Sequence, residues 1–176
     1  MINLGKHSIV GIEVNAIDYE AAVTLVINAA LEKRPMAVTA LAVHGVMTGV
    51  WDRNHKFRLN DFDLVCPDGQ PVRWALNKIH NCTLSDRVYG PELTLRLGEA
   101  AAKKDVPVFL FGATEEMLDQ FANRLCDRFD GLKIAGRRAS RFRTLSPDER
   151  DELGLSAAVW TGARVAGAAG EFHAAR

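Results

Sequence analysis

The sequence predicts one α/β domain with a largely parallel sheet flanked by helices. Three observations carry this. Apolar runs of strand length, at 36–41, 62–66 and 106–111, alternate with stretches whose apolar residues recur at helical spacing. The turns joining them are short and marked by Pro, Gly and Asp, the pattern of repeated strand–helix units. No internal repeat or low-complexity linker appears before residue 150. At 176 residues the chain is long enough to bury one continuous core. The domain is expected to occupy residues 1–150, with an atypical tail at 151–176 that is disordered or translated out of frame.

Residues 8–17, Ser-Ile-Val-Gly-Ile-Glu-Val-Asn-Ala-Ile, alternate as a half-buried strand or hairpin near a sheet edge. Asp18 is placed to cap the next helix, whose apolar face is Ala21, Ala22, Leu25, Val26 and Ala29. Met36–Leu41 reads as a buried strand, and Ala42–Trp51 as the helix after it. Gly45 and Gly49 cost that helix roughly 1 kcal/mol each relative to Ala, so close packing against the sheet is expected there. His55–Asn60 is a short helical turn leading into the strand Phe62–Cys66. That strand breaks at Pro67-Asp68-Gly69, and a helix follows to about His80 with Pro71, Val72, Ala75, Leu76 and Ile79 on one side. Pro91 suits the first turn of the helix running to Lys104. Val106–Phe111 is the clearest buried strand. It stops at Gly112-Ala113-Thr114, and a helix follows with Met117, Leu118, Phe121, Leu125 and Cys126 inward. Leu132–Ala135 begins another strand, and Ser146-Pro147-Asp148-Glu149-Arg150 looks like a further helix start.

Composition excludes several classes. Lys plus Arg and Asp plus Glu number 22 each, so bulk charge gives no reason to expect a nucleic-acid partner. Met1–Val14 carries Lys6, His7 and Glu13 and lacks the sustained apolar segment of a secretory leader. No apolar window approaches the roughly 18–20 residues that cross a bilayer. The chain is therefore expected to be cytoplasmic. Cys66, Cys82 and Cys126 have no metal-ligand spacing, and Cys66 and Cys126 read as small core fillers.

In a parallel sheet, ligands bind at the carboxyl ends of the strands. Thr39, Asp68 and the turn Gly112–Thr114 all fall at such ends. Asp68 could act as general base on a hydroxyl, or could be no more than a turn former or helix cap. Backbone amides after Gly69 and Gly112 could hold phosphate, or these turns could only serve helix packing. Arg73 and Arg87 could grip phosphate in bidentate fashion or be solvated. His44, one helical turn past the Thr39 strand end, could contact ligand or be structural. Arg137, Arg138, Arg141 and Arg143 form a dense basic cluster that suits a diphosphate, an anionic membrane surface or simply solvent. Neither a Walker A nor a G-x-G-x-x-G occurs, so no cofactor is implied, and no metal-ligand set is recognisable.

Taken together, Thr39…His44, Arg58-Leu59-Asn60, Asp63-Leu-Val-Cys-Pro-Asp-Gly69, Val72-Arg-Trp-Ala75, Arg87-Val-Tyr-Gly-Pro-Glu-Leu93 and Val108-Phe-Leu-Phe-Gly112 resemble the WecG/TagA/CpsF family of glycosyltransferases, glycosyltransferase family 26. The resemblance covers about residues 8–145. It implies a Rossmann-like fold and transfer of a sugar from a UDP-sugar, often UDP-N-acetylmannosamine, to a lipid-linked or glycan acceptor in cell-surface polysaccharide synthesis. The implied transfer inverts the anomeric carbon and requires no metal. By the same resemblance Asp68 is the catalytic base and Thr39 stands beside it, while Arg87, Gly90 and Glu92 border the substrate pocket. His44, Gly69, Arg73, Gly112 and Thr114 complete the expected substrate-binding set. Self-association and peripheral contact with the inner face of the membrane are further implications. Two positions depart from the family pattern. Leu41 stands where Asn is common, and no Gly-x-Gly-x-Pro-x-Gln-Glu-like segment follows Arg150. The chain is thus expected to be a shortened or frameshifted member. A non-catalytic remnant or nucleotide-sugar binding module is the rival reading, and an unrelated nucleotide-dependent enzyme a third.

Overall fold

The computed structural model describes residues 1–140, together with 146, 148 and 164–166. The Arg141 and Arg143 members of the basic cluster, most of the helix start at 146–150 and most of the atypical tail lie outside the described residues. The chain opens with a hairpin of β1 (Asn3–Ile9) and β2 (Ile12–Ile17), followed by α1 (Tyr19–Leu31). Then come β3 (Ala37–Leu41), α2 (Val43–Trp51), α3 (Arg53–Asn60), β4 (Leu64–Pro67) and α4 (Gln70–His80). Next are α5 (Gly90–Lys103), β5 (Val108–Phe111), α6 (Glu115–Arg128) and β6 (Ile134–Arg138), with a short β7 at Arg164–Ala166.

This is the expected Rossmann-like α/β arrangement, but the strands are divided among small sheets. β4, β3 and β7 form one parallel sheet in that order, β5 and β6 pair in parallel, and β1 and β2 pair antiparallel. In the central sheet Thr39 lies opposite Val65 and Leu41 opposite Pro67. The described part of the tail is β7, which places Val165 opposite Val38.

Side chains alternate across a strand, so β3 and β4 feed two cores. Val38, Leu64 and Cys66 join the cluster built with α1, α5 and α6. Leu41 and Val65 face the other way, into the cluster that holds the hairpin, α2, α3 and α4. The hairpin is fastened to the sheet by a side chain rather than a ladder. Asn15, 8% exposed, accepts the Val65 N–H at 2.8 Å on Oδ1.

Helix starts follow local chemistry. Asp18 caps α1 as expected, accepting the Ala21 N–H at 2.9 Å. Asp52 caps α3 through the Asn54 and His55 N–H groups, and Thr114 caps α6 through the Met117 N–H. The α2 glycines are explained by contact. A Cβ on Gly45 would lie 2.5 Å from Leu41 Cδ1, and one on Gly49 would lie 2.7 Å from Ile12 Cδ1.

Three expectations need correction. On α4, Val72 and Leu76 are buried, but Pro71 and Ile79 are exposed, because α4 touches the core along a stripe only about one turn long. On α6 the buried residues are Leu118, Ala122 and Leu125, a strict i, i+4, i+7 stripe, which turns Met117, Phe121 and Cys126 outward. β5 is only partly buried, with Phe111 exposed, since among the described residues its ladder partner is β6 alone.

The cysteines should therefore react very differently. Burial, reinforced by the nearby Asp68 charge, pushes the Cys66 thiol up to about 12. Cys126 is exposed on α6. Because the thiolate is the reactive form, iodoacetamide at mildly alkaline pH is expected to label Cys126 in the native protein and Cys66 only after denaturation. Peptide mass mapping reads the result, and rapid native labelling of Cys66 would contradict the packing described.

Candidate active site

β3 and β4 run in parallel, so Leu41 and Pro67 end at the same edge. α2 and α4 begin immediately beyond that edge, and α5 begins against it. Among the described residues, helices α1–α6 divide cleanly at their N-termini. α1, α3 and α6 carry side-chain caps. α2, α4 and α5 have N-cap residues Ala42, Gly69 and Tyr89, none of which makes a side-chain cap bond. The three uncapped ends are the three at the carboxyl edge of β3 and β4. Each turns the positive end of a helix dipole toward that edge, with N–H groups in its first turn except at Pro71 and Pro91, and with the Gly90 N–H of α5 taken by the Asp68 side chain.

Asp68 stands in the middle of this arrangement. Its N–H donates to the Leu41 carbonyl at 3.1 Å, which pins it to the end of β3. Gly69 then takes φ 85, a left-handed conformation that suits glycine, and turns the chain into α4. The Asp68 carboxylate does not cap that helix. Its Oδ2 accepts the Gly90 N–H at 3.3 Å, at the first turn of α5. The carboxylate thus reaches past its own turn to the start of a helix 22 residues away. Gly90 permits the approach. A Cβ there would sit 3.3 Å from the Ala40 Cβ and 3.7 Å from Asp68 Oδ2.

The segment before α5 is fixed on both sides. The Val88 N–H donates to the Pro67 carbonyl at 2.8 Å, and the Val88 side chain is fully buried. Arg87, half-buried, lays its guanidinium 4.8 Å above the centre of the Tyr89 ring. The Tyr89 N–H donates to the Tyr19 hydroxyl at 2.7 Å. Glu92 Oε1 pairs with Arg96 Nε at 2.7 Å, and the Arg96 guanidinium lies 4.5 Å over the Tyr19 ring. Burial, above all, raises the Tyr19 hydroxyl from its ordinary value, with the Glu92 and Asp86 charges adding to it; the Tyr89 N–H and the Arg96 charge act the other way.

The structure brings Asp68, Gly69, Arg87, Gly90 and Glu92 to one edge, with His44 exposed in the first turn of α2. Thr39 is half-buried in β3, two residues inside the edge, about 7 Å down the strand. Its neighbour Ala40 lies against Gly90, so Thr39 faces away from α5. Among the described residues no hydrogen bond joins Thr39 to Asp68. Arg73 turns to the adjoining loop, donating from Nη1 to the Leu84 and Ser85 carbonyls at 3.1 and 2.8 Å, while its buried Nε has no partner among the described residues. Gly112 and Thr114 belong to the β5–α6 turn. There the Gly112 N–H donates to the Arg138 carbonyl at 3.2 Å, and Thr114 caps its own helix.

Sequence reasoning missed Tyr19, Tyr89 and Asn77. Asn77 both donates to the Leu84 carbonyl and accepts the Leu84 N–H, each at 2.8 Å, and so helps Arg73 hold the loop that leads to Arg87. No local signal marks any of the three, since their partners lie 7 to 70 residues away.

Among the described residues no group of three or more His, Cys, Asp or Glu side chains could hold a metal ion, and no helix is long and apolar enough to cross a membrane. No curated protein matches the chain. Residues 7–163 match the model of the Glycosyl transferase WecG/TagA/CpsF family, a span that contains the whole edge just described. With the match covering most of its length, the chain belongs to the WecG/TagA/CpsF family of glycosyltransferases.

Proposed function

We propose that the β3–β4 edge transfers a sugar, N-acetylmannosamine or a close analogue, from its UDP donor to a hydroxyl of a lipid-linked or glycan acceptor in cell-surface polysaccharide synthesis. The observation that carries this is the Asp68 carboxylate, held by Gly90 among three helix N-termini whose own N-cap residues make no side-chain cap bond. A diphosphate is the kind of group that uncapped N–H groups and a nearby arginine attract. In this reading Arg87, stacked on Tyr89 just before α5, meets it, and His44 and Gly69 lie at the start of α2 and α4.

The step is a single displacement. Asp68 takes the proton of the acceptor hydroxyl as its oxygen attacks the anomeric carbon. The bond from that carbon to the diphosphate oxygen breaks, UDP leaves with the electron pair, and the configuration inverts. Donors aimed at the leaving diphosphate stabilise charge that grows in the transition state. A lipid-linked acceptor would bring this edge to a membrane surface.

The test is acceptor-dependent UDP release, measured with a panel of UDP-sugars and a lipid-diphosphate sugar acceptor. Release with UDP-N-acetylmannosamine above the other donors supports the proposal. UDP-sugar binding without release from any donor would overturn it in favour of a binding module.

A further inference from the structure

We propose that Tyr19 is a positioning residue for Asp68, acting through the Tyr89–Gly90 turn. The proposal rests on the reading of Asp68 as the base. Tyr19 is the first residue of α1 and lies 70 positions before Tyr89. Its hydroxyl oxygen accepts the Tyr89 N–H at 2.7 Å, serving a turn whose own residues provide no side-chain cap. The next N–H in the chain, that of Gly90, is the one that holds Asp68 Oδ2.

The ring of Tyr19 is itself held. Arg96 stacks on it at 4.5 Å, and Glu92 fixes Arg96 at 2.7 Å. A continuous path therefore runs from Glu92 through Arg96, Tyr19, Tyr89 and Gly90 to Asp68. It gives Glu92 a part in the site without contact with Asp68. The raised Tyr19 hydroxyl keeps its proton, so the oxygen that accepts from Tyr89 stays neutral and its O–H remains available to donate.

Tyr19→Phe removes only the acceptor and keeps the ring under Arg96. In ¹⁵N-labelled protein the Tyr89 and Gly90 amides are expected to exchange about fivefold to tenfold faster, the scale of one net hydrogen bond. Amides of β5 and α6 keep their rates. The Gly90 resonance is expected to move on Asp68→Asn in the wild type and to lose most of that response in the Tyr19→Phe background. A full Gly90 response there, or a uniform rise in exchange across the protein, overturns the proposal. Should Tyr19→Phe not fold, Arg96→Met decides by the same Gly90 response, expected to be weakened; an unchanged response overturns it. In turnover with UDP-N-acetylmannosamine, kcat is expected to fall with the donor KM unchanged, and a rise in KM alone counts against positioning. Failure of wild-type protein to bind UDP would instead strike the functional reading and leave the Gly90 coupling to be judged by itself.

Discussion

Asp68→Asn is expected to leave the fold intact and to lower kcat by about 10²–10⁴-fold, the usual range for losing a general base. The amide oxygen of Asn can still accept the Gly90 N–H, so the link between β4 and α5 survives while the proton acceptor is lost. Asp68→Ala removes both. It should add a loss of about 1 kcal/mol, typical of deleting a helix N-terminal acceptor. Thermal melts beside transfer assays read the two effects separately. Equal loss of stability in both variants would show that the carboxylate's charge, rather than its hydrogen bond, holds α5. Retained transfer in Asp68→Asn would remove Asp68 from the chemistry.

The second large effect is on stability. Asn15→Ala is expected to cost about 1–3 kcal/mol, because the Val65 N–H is left buried without an acceptor. For a chain of this size that is roughly 2–4 °C in Tm per kcal/mol. The reason is topological. β2 and β4 share no ladder, so the Asn15 side chain takes the place of one between the hairpin and the central sheet. Asn15→Asp keeps an acceptor oxygen but buries a charge, and it should also destabilise. Denaturant melts check both; a neutral Asn15→Ala would mean that water or a shifted strand replaces the bond.

Much of the fold was legible because local chemistry decides it. Asp18 before an apolar helical face, Gly and Pro at 69–71 and Pro91 inside a first turn each place a helix start within a residue or two of where it lies. The start of the hairpin was not legible. Asn3–Lys6 are exposed, so burial imprints no alternation on them. Strand pairing was legible in direction but not in partner. Periodicity marks a strand without saying which neighbour completes its ladder, and among the described residues the largely parallel sheet expected is divided into three small ones.

The site shows the same division. Pro67-Asp68-Gly69 identified itself by its break between strand and helix, and Gly90 by the motif around it. What Asp68 touches could not be read locally, since its partner is 22 residues on. Arg73 looked like an anion ligand because nothing nearby reveals that Leu84 and Ser85 present carbonyls to it. Leu41, which departs from the family pattern, is buried beneath Gly45, so its apolar side chain is fixed by packing against α2.

The central claim is that the helix N-termini around Asp68, whose own N-cap residues make no side-chain cap bond, form the diphosphate site. Titrating ¹⁵N-labelled protein with UDP and following the backbone amides tests it most directly. The account predicts shifts clustered at residues 43–45, at 69, 70 and 72, and at 89, 90 and 92, Pro71 and Pro91 having no N–H, with the capped starts of α1 and α3 unmoved. Shifts confined to those capped ends, or no saturable shift at any amide, would contradict it.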